Sequence, residues 1–249
     1  MQAIILAGGE GKRLYPLTRN TPKPMLMICG KPILHHQIEM LQRSGVNEIV
    51  IMAGYRGEKV HDYFSAPKFR NAHINVLIEE EPLGTAGAKR LAIERMDPTA
   101  DPVLLSAGDV LFNFDLQKIA IDHQKSGAVL TTILVPMRSP YGLMEFDTKR
   151  RVKAFRGKPH LPYPVMSGVY VASRAVLKYL PRRGDMKDTL PRMVKDKVLY
   201  AYLTRHYWRS VETLKDLEEI TSDVQKGYLL KSRNLYPPLP NYASLIFED

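Results

Sequence analysis

Cysteine is nearly missing from this chain: Cys29 is the single one in 249 residues. An internal disulfide framework is therefore excluded, and a reduced, cytoplasmic setting is expected. Long apolar runs are missing too. No window holds the roughly 20 residues that a membrane-spanning helix needs, so no membrane partner is expected. The opening "MQAIILAGG" reads as a strand, without the basic segment and small-residue cleavage site of a signal peptide. Acidic residues are in deficit, 26 against 36 Lys and Arg, for a net charge of +10. Such an excess suits nucleic acid, an anionic membrane or small phosphorylated ligands. Here the cations are spread out. The nearest thing to a run, "TKRRVK" at 148–153, is short and followed by no aromatic ladder, so no nucleic-acid partner is expected. There is one tryptophan, Trp208, and it is expected to pack rather than stack on a base.

What is present is an alternation. Ala3–Ala7, Glu48–Gly54, Ile74–Glu79 and Val103–Ala107 are short runs rich in Ile, Val and Leu, the pattern of buried parallel strands. Between the first two, "KPILHHQIEMLQRSG" repeats its apolar residues Ile33, Leu34, Ile38 and Leu41 at helical spacing. Pro32 stands at a tolerated first-turn position and Gly45 fits a helix stop. "TAGAKRLAIERM" is a second helix after the third strand. Strand, helix, strand in repetition predicts a mostly parallel sheet with helices on both faces. Ala128–Pro136, Val165–Ala172 and 199–204 read as further strands. The glycine- and proline-punctuated stretch before Val165 suits hairpins and loops. Thr213 opens a last helix, with Asp216 at capping-box spacing.

The first strand runs into "LAGGEGKRLYPLT", residues 6–18. A turn there sits at the carboxyl edge of the sheet, where open α/β folds bind ligands. Successive glycines let backbone N–H groups converge on an anion. Two phosphate motifs fail on it. The dinucleotide fingerprint finds Leu14 where its last glycine belongs, and the Walker pattern finds Arg13 after Lys12 and no glycine at position 6. The sequel is more informative. "LYPLTRNTPKPM" is stiffened by three prolines. It presents Lys23 opposite Arg13, so two cations straddle the glycine turn. Arg13 grips bidentately and Lys23 acts as a point charge.

"LAGGEGKRLYPLTRNTPKPM" resembles the signature of the sugar-1-phosphate nucleotidylyltransferases. The likeness continues in order through "GKPILHHQIEML", "EEEPLGTAGA" and "LLSAGDVLF", covers residues 1–175 well and thins after that. The spellings are most similar to the mannose-1-phosphate guanylyltransferase branch. The resemblance implies a Rossmann-like, three-layer α/β nucleotidyltransferase fold, with a mixed, mostly parallel central sheet and a sugar-binding insertion. It implies one domain over 1–230, with a nucleotide-binding half at 1–125, a sugar-binding half at 126–230, and a tail at 231–249. The activity implied is transfer of a nucleoside monophosphate from an NTP to a sugar-1-phosphate, with Mg²⁺ as cofactor and a homo-oligomer as the assembly.

Residue by residue, the resemblance assigns Leu6, Ala7, Gly8, Gly9, Gly11 and Lys12 to the nucleotide, with Arg13 and Lys23 on its phosphates. Asp109 in "SAGDV" matches the metal aspartate. Glu79, Glu81, Pro82, Gly84 and Thr85 fall in the base-and-ribose segment. An ionised carboxylate only accepts hydrogen bonds, which suits the adjacent N1–H and N2–H₂ donors of guanine and favours GTP. Gly142, Glu145 and Gly168 fall to the sugar, and Lys158 to the sugar phosphate.

Two positions depart from the family pattern. Gly157 stands where the family has a sugar-binding glutamate. In "YWRSVET", Ser210 replaces the second metal aspartate and Glu212 replaces a glycine, leaving either of them as second ligand. Two alternatives therefore stay open: a non-catalytic regulatory relative that binds nucleotide sugars, and a thymidylyl, uridylyl or cytidylyl transferase acting on another sugar phosphate.

Overall fold

The computed structural model describes residues 1–69, 73–230 and 235. In chain order the elements are β1 (Gln2–Ala7), β2 (Met27–Ile28), β3 (Lys31–Pro32), α1 (Ile33–Arg43), β4 (Glu48–Ala53), α2 (Gly57–Phe64), β5 (His73–Ile78), α3 (Gly84–Arg95), β6 (Val103–Ala107), β7 (Val110–Phe112), α4 (Leu116–Ser126), β8 (Leu130–Arg138), β9 (Leu143–Phe146), β10 (Val152–Arg156), β11 (His160–Ala172), α5 (Met186–Lys195), β12 (Leu199–Leu203), β13 (Trp208–Ser210) and α6 (Leu214–Gln225).

Seven strands form one sheet in the order β12-β8-β11-β6-β1-β4-β5. β1 pairs in parallel with both β4 and β6, β4 with β5, and β12 with β8. β11 alone runs antiparallel, to β6 on one side and β8 on the other. The α/β, mostly parallel but mixed sheet expected from the sequence is thus observed. It continues without a break from strands of the first half to strands of the second.

Alternation along β1 explains the layers. Ala3, Ile5 and Ala7 face the core under α1, α2 and α4, whereas Ile4 and Leu6 face the core under α3 and α5. A third apolar cluster joins Leu14, Ile28, Tyr207 and Ile220 beneath α6. α1 ends as the sequence predicts. Gly45 takes φ +80°, its N–H reaches Gln42 O at 2.9 Å, and Val46 N–H reaches Leu41 O at 2.9 Å, which together close a Schellman stop.

β11 starts at His160, before the expected Val165, and the loop-like stretch preceding it contains the β9–β10 hairpin. α2, α4 and α5 go beyond the sequence expectations. The tail at 231–249 lies outside the described residues except for Leu235, whose N–H bonds Arg205 O at 2.9 Å.

Candidate active site

β1 is flanked by β4 and β6, so the chain leaves it in opposite directions along the sheet. A crevice opens where the order reverses, beyond the carboxyl ends of the strands. A cavity of about 640 Å³ occupies that place. Its walls include Leu6–Gly9 and Gly11–Arg13 after β1, Met52 on β4, Glu79 and Pro82 after β5, and Ala107 and Asp109 after β6.

The glycine turn is held by its own sequence. Gly11 sits at φ +66°, and a Cβ there would stand 2.9 Å from Lys23 Cβ and 3.2 Å from Thr18 Cγ2. Only glycine allows the Lys23 arm to lie so close. Thr18 Oγ1 donates to Gly11 O at 2.9 Å, and Leu14 is fully buried. Burying such a side chain stabilises by about 1.5–3 kcal/mol, enough to pin a short loop.

On this frame four charges join. Lys23 Nζ lies 2.5 Å from Asp109 Oδ2 and 3.1 Å from Glu212 Oε2, and Arg13 Nη2 lies 2.7 Å from the same Glu212 oxygen. Lys23 is almost wholly enclosed, whereas Arg13 is exposed. Backbone pairing brings Glu212 here. β13 pairs antiparallel with β7, setting Ser210 opposite Val110, and Val211 N–H bonds Asp109 O at 3.0 Å. The predicted capping box of Thr213 and Asp216 is formed, and Asp216 Oδ2 also accepts from Glu212 N–H at 3.0 Å. Ser210 Oγ donates to Glu212 Oε1 at 3.2 Å. The carboxylate facing Asp109 is therefore Glu212, with Ser210 steadying it. From α1, buried Gln37 donates to Ser106 Oγ and Ala107 O at 2.8 and 2.9 Å, bracing the strand end before Asp109.

These residues fit a magnesium ion. Mg²⁺ takes hard oxygen ligands, usually one or two carboxylates completed by phosphates and water rather than a protein cage. Asp109 and Glu212 supply two such carboxylates from separate elements. Among the described residues, no group of three or more His, Cys, Asp or Glu side chains gathers as a ready-made metal cage, here or elsewhere.

On the β5 side, Glu79 is half-buried, and its Oε2 approaches the Gly8 and Gly54 backbone. Burial pushes its carboxyl above the usual glutamate value. Glu80 and Glu81 are exposed and do not line the cavity. Glu81 is 3.5 Å from Arg183 in a solvated pair. Gly84 sits at φ +76°, and a Cβ there would stand 2.5 Å from Gly184 O, so the position needs glycine. Thr85 is tied to the same segment: its N–H and Oγ1 donate to Asp185 Oδ1 at 2.9 and 3.1 Å, and Oγ1 accepts from Met186 N–H at 2.9 Å. These bonds hold the Asp185 carboxyl below its usual value.

On the β11 side the lining holds Gly168, Tyr170, Asp185 and Met186. Lys89, on α3, lines it too and is buried. Burial lowers its ammonium to about 8, against the opposing pull of Asp185. Sequence reasoning missed Lys89, Tyr170 and Asp185. A lysine inside the apolar run "AGAKRLAI" was the available signal. Three residues expected at the sugar stand outside the lining. Gly142 packs on the Phe155 ring, and Glu145 pairs with Arg156 at 2.6 Å on the hairpin. Lys158 is exposed, and a side-chain hydrogen bond with Lys215, together with that residue's positive charge, lowers its ammonium. Trp208 packs as expected and donates from Nε1 to Ser167 O at 2.8 Å.

Residues 2–227 match the family model described as nucleotidyl transferase. The chain belongs to that family. It is 32% identical over 224 residues to the mannose-1-phosphate guanylyltransferase catalytic subunit beta of Xenopus tropicalis, covering 87% of this chain. The chain spans 62% of the length of that relative. It is also 32% identical over 231 residues to the D-glycero-alpha-D-manno-heptose 1-phosphate guanylyltransferase of Aneurinibacillus thermoaerophilus, covering 90% of this chain and 99% of that protein. HddC from Yersinia pseudotuberculosis, solved complexed with GMP-PN, superposes with a TM-score of 0.71 at 26% identity, over 90% of this chain and 99% of that one.

Proposed function

We propose that this chain transfers a guanylyl group from GTP to a hexose- or heptose-1-phosphate, giving a GDP-sugar and pyrophosphate. The observation that carries the reading is the chain of contacts Arg13–Glu212–Lys23–Asp109 on the rim of the glycine-lined cleft. It sets two cations and two carboxylates where a metal-bound triphosphate would lie. The guanylyltransferase relatives support the base and the substrate class.

Asp109 and Glu212 would hold Mg²⁺, which supplies charge neutralisation on the phosphates. The glycine turn and Arg13 bind the triphosphate. Lys23 sits against the group being transferred. An oxygen of the sugar phosphate forms the new bond to the α-phosphorus. The bond from that phosphorus to the bridging oxygen of the β-phosphate breaks, and pyrophosphate leaves with the electron pair. No enzyme nucleophile is required, so the protein contributes by positioning and by stabilising charge. Glu79 accepts from guanine N1–H and N2–H₂. The half at 1–125 supplies nucleotide contacts, and Gly168 in the half at 126–230 meets the sugar.

The setting proposed is cytoplasmic, since the lone, exposed Cys29 calls for no oxidising compartment. Self-association is proposed through the exposed apolar side chains Phe146, Val152 and Phe155 of the β9–β10 hairpin, and light scattering tests it. Among the described residues no helix is long and apolar enough to cross a membrane.

Pyrophosphate release from each of the four NTPs, with Mg²⁺ and a panel of hexose and heptose 1-phosphates, tests the reading. Turnover with GTP well above the other nucleotides is expected. No turnover with any pair, alongside tight binding of nucleotide sugars, would replace it with the regulatory reading.

A further inference from the structure

Lys89 is a buried cation with little inside the protein to hold it. Its Nζ makes one hydrogen bond, to Thr85 O at 3.3 Å, and lies 5.5 Å from the centre of the Tyr170 ring. An ammonium has three donors and is costly to bury without partners. Yet the side chain is 4% exposed and forms part of the cavity wall. Asp185, within electrostatic reach, lines the same wall. One Asp185 oxygen is taken by Thr85.

The sheet order says which part of a bound substrate Lys89 meets. Glu79 follows β5 and holds its carboxylate against Gly8, after β1, whereas Tyr170 is on β11, on the far side of β6. At about 4.8 Å per strand, roughly 10 Å separates those two places along the sheet. Tyr170 and Gly168 both line the cavity from β11. Lys89 thus stands over the end of the cleft away from Glu79. Of the polar side chains expected to serve the sugar, Glu145 is paired on the hairpin and Lys158 stands beside Lys215 in solvent.

We infer that Lys89, with Asp185 beside it, grips the sugar hydroxyls and so sets sugar specificity. This rests on the transfer reading above. A hydroxyl both donates and accepts. A neutral polyol therefore satisfies the ammonium and the carboxylate together, whereas a second anionic group on the sugar would meet Asp185 unfavourably.

The test is steady-state kinetics of the wild type, Lys89→Met and Lys89→Gln with GTP and mannose 1-phosphate or D-glycero-D-manno-heptose 1-phosphate, with thermal unfolding of each variant. Lys89→Met should raise KM for the sugar phosphate at least tenfold and leave KM for GTP within twofold. Lys89→Gln, which keeps a donor, should recover part of the loss. An unchanged sugar-phosphate KM, or a rise confined to GTP, overturns the inference while leaving the transfer reading intact. Equilibrium titrations with GDP-mannose and GDP separate the two claims. If the wild type shows no turnover but prefers GDP-mannose, and Lys89→Met erases that preference, the sugar contact stands and the transfer reading falls. If neither turnover nor preference exists, both fall.

Discussion

Glu212 Oε2 lies 3.1 Å from Lys23 Nζ, across 189 positions of sequence. The same ammonium holds Asp109 at 2.5 Å. A lysine this enclosed is tolerable because two carboxylates neutralise it, and the carboxylates stay together because the lysine offsets their repulsion. Removing one member should therefore disturb the other two.

Glu212→Gln keeps the shape and removes the charge. It should lower kcat by about 10²- to 10³-fold, the scale of losing one electrostatic contact to a transition state. It should also raise the Mg²⁺ concentration for half-maximal rate, as Asp109→Asn should. Ser210→Ala removes one hydrogen bond to the Glu212 carboxylate, worth about 1.5 kcal/mol, and should cost no more than about tenfold. Magnesium titrations of the three variants check this ordering. A larger loss at Ser210 than at Glu212 would exchange their roles.

Gly11→Ala should weaken both fold and activity. The left-handed conformation costs an L residue roughly 1–2 kcal/mol, and the new methyl would stand 2.9 Å from Lys23 Cβ. Unfolding should begin at least about 2 °C earlier, since 1 kcal/mol shifts a chain of this size by about 2–4 °C. KM for GTP should rise with it. Differential scanning fluorimetry and initial rates read the two effects. A variant with native stability and native KM would remove the Lys23 arm from the explanation.

Much of this was legible from local patterns. The β1 turn, the α1 stop and the α6 capping box depend on neighbours a few residues apart, and each formed as read. The glycine turn, Arg13, Lys23 and Asp109 gather in one cleft because each lies near a strand end on the same sheet edge. The choice between Glu212 and Ser210 needs the β13–β7 pairing, which no local spacing encodes. Lys89 was marked only by the apolar run around it. Its place beside the Tyr170 ring is an encounter of residues 81 positions apart. Gly142, Glu145 and Lys158 belong to a hairpin and turn whose placement against the cleft is likewise a matter of tertiary packing.

Guanine recognition should fade as pH falls. Glu79 accepts hydrogen bonds only when ionised, and burial holds its carboxyl above the usual glutamate value. Protonation thus sets in at a higher pH than for a solvated glutamate. KM for GTP should rise on acidification in that range, and Glu79→Gln should show a weaker but flatter profile. Rates measured at saturating sugar phosphate across pH 5 to 8 give the comparison. A wild-type profile as flat as the variant's would take Glu79 off the base.

Lys89 makes an independent prediction about stability. Its ammonium falls to about 8 in the folded chain from 10.5 in the unfolded one. Below pH 8 both states carry the charge, and the fold bears the full cost of burying it. Between about 8 and 10.5 the folded chain gives up the proton first, so the unfolded chain binds more protons and stability rises with pH. Above 10.5 the cost is gone. Lys89→Met never bears it. The variant should therefore be more stable than the wild type at pH 7, by something on the order of 3 kcal/mol at about 1.4 kcal/mol per pKa unit. The gap should close as pH climbs towards 10.5. Denaturant unfolding of both proteins at pH 7 and pH 10 reads it directly. A stabilised but sugar-impaired variant is the behaviour of a residue kept for function at the expense of the fold. A destabilised one would mark Lys89 as a structural member of the packing under α3.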